Sequence, residues 1–116
     1  MKTKTQEKGV LIGVRVHVEP ATRKETIGTG FKGYIEGASY KELVRVFGHP
    51  DPDTAETSDG KMRVEWIGRI LGMIFTIYDY KDDRPIDKIR DWHVGGKEAA
   101  VVELVNNYFQ AAKKEA

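Results

Sequence analysis

The alternation of hydrophobic and polar positions predicts five β-strands along the chain. From Val10 to Val18, β-branched residues at every second position give the period of a strand with one buried face. A second extended segment, rich in glycine, is predicted at about 24–36. Residues 61–68 alternate between polar and apolar side chains, which predicts a strand with one face exposed to solvent. Residues 71–80 are apolar on both faces, which predicts a central strand covered on both sides. A short extended segment at 89–94 completes the set.

Two stretches have the apolar periodicity and the terminal residues of helices. Ser39 and Glu42 form a capping box, in which each side chain can accept a hydrogen bond from the other residue's backbone amide. The helix that they open is predicted to end at Gly48. A last helix is predicted from about Lys97 to Ala112, directly after the Gly95-Gly96 pair that breaks the preceding strand.

The order of the predicted elements is β-β-α-β-β-β-α. Because the strands are grouped and do not alternate with helices, the class is α+β, a mostly antiparallel sheet of about five strands with two helices. Turns are predicted at 19–22 and at the proline-rich 49–53, and polar loops at 54–60 and 81–87. Residues 1–8 are predicted to be a flexible tail and residues 9–116 a single domain.

Composition and charge narrow the classes of protein. The 116 residues suffice for one domain but are too few for a doubly wound dinucleotide fold, which needs several βαβ units of about 30 residues. A net charge of +1 argues against a protein that coats long nucleic acid. The chain has no cysteine, which excludes disulfides, zinc–thiolate sites and thiol nucleophiles. A polar N-terminus and the lack of a run of about 20 apolar residues predict a soluble, cytoplasmic protein with no membrane partner.

Glycine and histidine patterns give no enzyme signature. Gly28, Gly30 and Gly33 match G-x-G-x-x-G, but a strand and not a helix is predicted to follow them. A glycine-rich strand with a bulge or a close backbone contact is therefore favoured, with a place in some other ligand pocket as the alternative. The three histidines show no metal-ligand spacing, and no nucleophile elbow is present. The sequence predicts a non-enzyme with no catalytic residue, metal or cofactor.

The segment from Asp91 to Lys97 carries the clearest binding signal. A strand ends there, two glycines leave the backbone bare, and a lysine follows in the predicted first turn of a helix. Free amides at a helix start attract anions, and Lys97 would add a full positive charge. The segment is not a Walker A loop, because Asp91 and Glu98 stand where that motif needs glycine and Ser or Thr. The alternative is that Gly95-Gly96 only makes a tight corner.

Aromatic residues accompany this segment and the end of the central strand. Trp92 and His93 point to opposite faces of an extended segment, so a core tryptophan beside a surface histidine is favoured. At the end of the preceding strand, Asp79 could hold a ribose hydroxyl or an exocyclic amine, and Tyr78 or Tyr80 could stack on a base. The alternative is a strand that frays into solvent.

An ordered series of short blocks resembles a family of small proteins encoded by phages and prophages. These blocks are Gly33-Tyr34-Ile35, then Ser39-Tyr40 with Leu43-Val44 and Phe47-Gly48, then Val64-Glu65-Trp66, Thr76 to Lys81, and Trp92 to Gly96. The matching stretch covers about 28–97 and is similar to the anti-Thoeris sponges, which neutralise bacterial immunity by sequestering cyclic ADP-ribose signals. Members of the family have also been linked to the cyclic oligonucleotides of other defence systems.

The resemblance implies binding without turnover, in the bacterial cytoplasm, in pockets shared between the subunits of a homo-oligomer built from dimers, with a hexamer as one option. It implies ligand contacts from Asp79, Asp91 and Lys97, and from Arg45 and Arg69 by approximate spacing. With the neighbouring residues of the two strongest blocks, the candidate ligand-binding set is Asp79, Tyr80, Asp91, His93, Gly95, Gly96, Lys97, Arg45 and Arg69.

Two departures from the family pattern bear on that set. The family often has arginine after the double glycine, whereas Lys97 cannot make the bidentate fork of a guanidinium. The loop between Lys81 and Trp92 is short for a lid over the pocket.

Two further functions stay open beside the cyclic-nucleotide sponge. In one, a sheet face or the 49–60 loop docks on a host enzyme and inhibits it. In the other, the chain is a small phosphodiesterase or nuclease, which the lack of an acid–base or metal constellation disfavours.

Overall fold

The computed structural model of the chain describes residues 16–114, which form a five-stranded antiparallel sheet with helices on one face. The strands are β1 (Val18–Pro20), β2 (Gly30–Glu36), β3 (Glu65–Ile70), β4 (Met73–Tyr78) and β5 (Asp91–Gly96). The helices are α1 (Tyr40–Phe47), the single turn α2 (Thr54–Thr57) and α3 (Ala100–Lys114), with 3-10 turns at Arg23–Thr26 and Ile86–Lys88. The spatial order of the strands is β1-β3-β4-β5-β2. The predicted α+β class with its antiparallel sheet is confirmed.

Helix α1 begins and ends as its terminal residues predict. The Ser39 hydroxyl accepts a hydrogen bond from the Glu42 amide at 3.1 Å, and the Ser39 amide donates to the Glu42 carboxylate at 3.0 Å. These two bonds satisfy amides that the first helical turn leaves without a partner. The helix stops at Gly48, whose φ of +89° is one that side-chain-bearing residues rarely adopt.

The hydrophobic core lies between the sheet and the two longer helices. The Phe47 ring of α1 packs 5.7 Å from Phe75 on β4 and 6.3 Å from Phe109 on α3. Trp92 is fully buried and donates its indole N–H to the Ala38 carbonyl at 2.8 Å, as a core tryptophan should. The fully buried apolar side chains are Ile35, Ala38, Leu43, Ile70, Phe75, Ile77, Ile89, Trp92, Val94, Val101, Val105 and Phe109.

The first two predicted strands need correction at their boundaries. Most of the predicted strand from Val10 to Val18 lies outside the described residues. The turn predicted at 19–22 is wrong for Glu19 and Pro20, which belong to β1. Proline is tolerated there because β1 is an edge strand, where one amide need not bond to a neighbour. The extended segment predicted from about 24 begins only at Gly30, because Glu25 accepts the Thr22 amide at 2.8 Å and closes a 3-10 turn.

The third and fourth strands are shorter than their hydrophobic patterns predict. Residues 61–64 do not join β3, since the Asp79 carboxylate takes the backbone amides of Arg63 and Val64 at 2.7 and 3.0 Å. Leu71 and Gly72 form the two-residue turn of the β3–β4 hairpin, with φ of +48° and +79°. The polar loop at 54–60 contains the single turn α2.

The last strand is longer than predicted. Gly95 and Gly96 do not break it: they pair with Thr76 and Phe75 on β4 and also lie in the ladder with β2. The last helix therefore begins at Ala100 and not at Lys97.

The two faces of the sheet differ. Helices α1 and α3 cover one face, and the opposite face carries Tyr34, Tyr78 and His93; we call this second face the aromatic face. Strand β4 is central, as predicted. On its aromatic face Thr76 is buried, whereas Ile74 and Tyr78 are only partly buried. Within residues 16–114, no helix is long and apolar enough to cross a lipid bilayer.

Candidate functional site

Four aromatic rings gather around His93 on the aromatic face. The imidazole lies nearly parallel to the Tyr78 ring, with 5.2 Å between ring centroids and 25° between planes. The rings of Tyr34, Phe31 and Tyr80 surround it at 5.1, 5.4 and 5.9 Å. These distances are typical of contacting aromatic pairs, so the rings form one continuous cluster.

Strand register and one β-bulge build this cluster. Tyr34, His93 and Tyr78 stand directly opposite one another on the adjacent strands β2, β5 and β4. Phe31 and Tyr34 are three positions apart and would point to opposite faces of a regular strand. The ladder shifts register between Phe31 and Gly33, which adds one residue and turns Phe31 onto the same face as Tyr34. The interpretation of the glycine-rich segment as a bulged strand is confirmed.

The cluster is open to solvent on its outer side. Phe31 is 50% exposed, Tyr34 46% and Tyr80 41%, which are high values for side chains of this size. Tyr78 lies deeper, and burial, followed by the nearby Glu65 carboxylate, raises the pKa of its hydroxyl above 10. The Tyr78 hydroxyl therefore keeps its proton at neutral pH and can donate a hydrogen bond.

Carboxylates flank one end of the cluster. Glu36 and Asp91 are direct cross-strand partners on β2 and β5, on the same face as the aromatic rings. With Tyr34 and Gly37 they line a shallow depression of about 320 Å³. Two like charges directly opposite each other in a sheet are unfavourable, although Arg84 lies 3.8 Å from Asp91. A ligand with hydroxyl or amine donors would relieve this repulsion.

Two lysines lie near opposite ends of the strands that carry the cluster. Exposed Lys97 directly follows β5, and its Cε lies 3.7 Å from the point that a Cβ on Gly28 would occupy. The Lys81 ammonium lies 5.5 Å from the centre of the Tyr80 ring, within the range of a cation–π contact. The aromatic cluster thus has both carboxylates and Lys81 at the start of β5, and Lys97 follows the other end of that strand.

The structure brings five of the predicted site residues together along β5 and the end of β4. Tyr80 and His93 belong to the cluster, Asp91 to its acidic flank and Lys97 to its basic flank. Gly95 lies between the last two on the same face, and a Cβ there would stand 2.6 Å from the Thr76 hydroxyl. The lack of a side chain at Gly95 is therefore a packing requirement of the sheet.

Asp79 has a different environment from the one predicted. Its side chain is buried, and beyond the two backbone amides it accepts a hydrogen bond from Arg63 Nε at 2.9 Å. Both carboxylate oxygens are thus engaged within the protein. Through these hydrogen bonds, Asp79 links the end of β4 to the segment that precedes β3.

Three more predicted residues lie away from the cluster. Gly96 faces the helices, where a Cβ would stand 2.8 Å from a Val101 methyl group. Arg45 is exposed on α1, in the layer on the other side of the sheet. Arg69 shares the aromatic face but lies on β3, where it pairs with Glu25 and approaches Glu19 at 3.7 Å.

The predicted anion site at a helix N-terminus does not form. The glycines at 95 and 96 belong to a central strand and lie in ladders on both sides, and α3 starts four residues after Gly96. The cluster members Phe31 and Tyr34, and the flanking Glu36, were missed by the sequence reasoning. A bulge signal in the glycine-rich segment was present, but its position could not be inferred from the sequence alone. Within residues 16–114, no group of three or more histidine, aspartate or glutamate side chains is placed to hold a metal ion.

Comparisons of the chain with protein-family models, with curated proteins and with solved structures found no match.

Proposed function

We propose that the aromatic face binds a nucleotide-containing ligand and holds it without chemical change. The observation that carries this proposal is the cluster of four rings around His93, three of them widely exposed. Aromatic side chains on an open sheet face are a common platform for base stacking, worth about 1–3 kcal/mol per base.

The charged flanks favour the ribose and phosphate parts of such a ligand. Carboxylates such as those of Glu36 and Asp91 accept hydrogen bonds from ribose hydroxyls, and the Lys97 ammonium attracts phosphate. Cyclic ADP-ribose isomers and cyclic oligonucleotides combine these groups in one compact molecule. Together with the family resemblance, this chemistry supports a phage anti-defence protein of the anti-Thoeris sponge type.

Sequestration works by mass action and needs only affinity. A tight complex lowers the free concentration of an immune signal below the threshold of its receptor in the bacterial cytoplasm. A homo-oligomer in which neighbouring copies complete each ligand site would fit this role, since an open sheet face covers a ligand on one side only.

The first experiment is a thermal-shift screen with cyclic ADP-ribose isomers and cyclic di- and trinucleotides. A ligand at 100 times its dissociation constant should stabilise the native state by about 2.7 kcal/mol. Chromatography after heat denaturation should recover the ligand unchanged. Product that accumulates with time would contradict binding without turnover and favour the phosphodiesterase.

Paired variants test where the ligand binds. Tyr34→Ala and Lys97→Glu should weaken binding of any ligand found in the screen at least tenfold while the melting temperature without ligand stays close to that of the wild type. Leu71→Ala and Lys41→Glu are matched controls, because both side chains are exposed and lie outside the cluster. Unchanged binding by both test variants would exclude the aromatic face.

A protein-binding inhibitor is the second candidate, favoured by the apolar exposure of Phe31 and Ile27. It predicts no response to any nucleotide and a stoichiometric complex with a host enzyme. The Tyr34→Ala variant should then lose that complex.

A further inference from the structure

The connection between β1 and β2, residues 21–29, crosses the aromatic face of the sheet. Strands β1 and β2 form opposite edges, so the chain between them must pass the three strands that separate them. The 3-10 turn Arg23–Thr26 in this connection lies against β4. Its charged side chains reach Glu65 and Arg69, which point to the aromatic face of β3. We call residues 21–29 the strap.

Ion pairs attach the strap to the rest of the protein. Arg23 pairs with Asp51 and, at 3.0 Å, with Glu65, while Glu25 pairs with Arg69. The Arg69 and Glu25 side chains are both partly exposed to solvent. Such partly exposed pairs contribute little to stability and are weakened by salt, so this attachment is easily released.

Apolar packing contributes little to the attachment. None of residues 21–29 is buried, and Ile27, the one large apolar side chain of the strap, is 73% exposed. The backbone hydrogen bonds from Glu25 to Thr22 and from Thr29 to Thr26 are internal to the strap. Segments with few buried apolar contacts open locally while the rest of a domain stays folded.

The sheet surface next to the strap is partly polar. Thr76 lies on the aromatic face of β4, directly opposite Gly95, and is only 3% exposed. A Cβ at Gly95 would stand 2.6 Å from the Thr76 hydroxyl and 3.4 Å from the Tyr78 ring, so this hydroxyl lies above bare backbone beside the aromatic cluster. Exposure of a hydroxyl and bare backbone to water loses little hydrophobic stabilisation.

We infer that the strap is a movable cover, which opens while the sheet stays folded and exposes Thr76 and the Gly95 backbone beside the His93 cluster. Gly28, at the end of the strap near β2, has a φ of +89°. A Cβ there would stand 3.7 Å from Lys97 Cε, which is an ordinary contact, so the backbone has room to rotate. Hinges of moving loops commonly lie at such residues near the ends of elements.

The inference does not rest on nucleotide binding, although an open strap would lengthen the surface available to a nucleotide. Opening can be measured without any ligand. A cover that moves on a protein that binds no nucleotide, and a rigid cover on one that does, are therefore distinguishable results.

Single engineered thiols report the opening, because the chain has no cysteine. Thr76→Cys places a thiol of similar size beside the strap. Val94→Cys places one in the fully buried core, on the other face of the sheet, and reports unfolding of the whole domain. Lys41→Cys, on the exposed surface of α1, gives the unhindered rate. The measurement is the rate at which each folded protein reacts with 5,5′-dithiobis(2-nitrobenzoic acid), at several low concentrations of urea.

We expect an intermediate rate for the covered position. The thiol of Thr76→Cys should react at least about tenfold more slowly than that of Lys41→Cys and at least about tenfold faster than that of Val94→Cys. Its rate should rise only weakly with urea, because local opening exposes little surface, whereas the rate for Val94→Cys should rise as steeply as global unfolding.

The ion pairs should control that rate. Adding Glu25→Gln to Thr76→Cys should raise the rate at least about twofold, because the charge that pairs with Arg69 is lost while the Thr22 amide keeps its acceptor. High salt should have the same effect relative to the exposed thiol. Glu103→Gln, an exposed substitution on α3, is the matched control and should leave the rate unchanged.

Three results would overturn the inference. Equal rates and equal urea dependence for Thr76→Cys and Val94→Cys would mean that the strap opens only when the domain unfolds. A thiol in Thr76→Cys as reactive as that in Lys41→Cys would mean that the position is not covered. An unchanged rate with Glu25→Gln would mean that the ion pair does not hold the cover. If Thr76→Cys lowers the melting temperature, Ile67→Cys, directly opposite on β3, takes its place in the same comparison.

Discussion

At the scale of single residues, Asp79 decides where β3 begins. In the wild type, the Asp79 carboxylate accepts hydrogen bonds from backbone amides and from the Arg63 side chain. Asparagine at this position would lose the negative charge. Its N–H₂ group would also face one of these donors, with which it cannot form a hydrogen bond. Because hydrogen bonds to a buried carboxylate contribute about 1.5–3 kcal/mol each, Asp79→Asn should lower the free energy of unfolding by about 2–3 kcal/mol. Urea denaturation measures this change, with exposed Asp83→Asn as the control. A stable variant that loses nucleotide affinity would instead make Asp79 a ligand contact.

The raised pKa of Glu65 predicts that the stability of the protein depends on pH. Burial holds its pKa in the native state above the usual 4.5, so between these two values the native state binds more protons than the unfolded state. The contribution of this group to stability is fully present below pH 4.5 and is lost as the pH rises through the native pKa. The stability of the wild type relative to Glu65→Gln should therefore fall as the pH rises from 4.5 towards neutrality.

Denaturant titrations of the two proteins across this pH range measure that difference. Glu103→Gln, on the surface of α3, provides the baseline and should differ from the wild type by a constant amount. A difference between wild type and Glu65→Gln that does not vary with pH would mean that Arg23 keeps Glu65 ionised throughout.

These two residues show where sequence reasoning about single positions stops. Trp92 and His93 were placed correctly, one in the core and one outside it, because the alternation of a strand is a local property. The partners of Asp79 are 15 and 16 positions away, and the Glu65 carboxylate pairs with Arg23, 42 positions away. No local pattern distinguishes a carboxylate that binds a ligand from one that caps the protein's own backbone.

At the scale of elements, the β3–β4 hairpin carries an unfavourable residue in its turn. Leu71 adopts a φ of +48°, although left-handed backbone costs an ordinary residue about 1–2 kcal/mol. Its side chain is 56% exposed, so little packing compensates this cost. Asparagine tolerates this conformation, and Asn-Gly is the preferred sequence for such a turn. Leu71→Asn should therefore raise the free energy of unfolding by about 0.5–1 kcal/mol.

Thermal and urea denaturation of the purified variants measure this gain. Leu71→Ala keeps the strained backbone while removing the exposed leucine, so it should change stability little. Equal stabilisation by alanine and asparagine would attribute the gain to the lost apolar surface and not to the turn.

The same hairpin explains part of what the hydrophobic pattern could and could not predict. Helix α1 was predicted correctly from Ser39, Glu42 and Gly48, because the start and the end of a helix are each encoded within a few residues. Leu71 is not a usual turn residue, and the pair Leu71-Gly72 was therefore assigned to a strand. The bulge beside Gly33 and the continuation of β5 through Gly95 and Gly96 depend on which strands lie next to each other. The hydrophobic pattern along the sequence does not show which strands pair.

At the scale of the whole molecule, the described sheet offers its aromatic face and not its edges for association. Edge strand β1 has three residues and includes Pro20, which cannot donate a backbone hydrogen bond. Edge strand β2 is bulged, and its Tyr34 carbonyl oxygen accepts a hydrogen bond from the Asn106 side chain at 3.0 Å. Such features discourage the addition of further strands. Within residues 16–114, no comparable feature covers the exposed rings of Phe31 and Tyr34.

Self-association of the chain should therefore use the aromatic face. Sedimentation velocity over a range of protein concentrations should reveal a dimer or larger assembly in the wild type. The double substitution Phe31→Ser and Tyr34→Ser should shift it to monomer, because two large apolar contacts are lost while the core is untouched. Leu71→Asn, which removes an equally exposed apolar side chain elsewhere, should leave the assembly intact. If the doubly substituted protein assembles as the wild type does, the copies meet through another surface, and the ligand sites on the aromatic face are not shared between subunits.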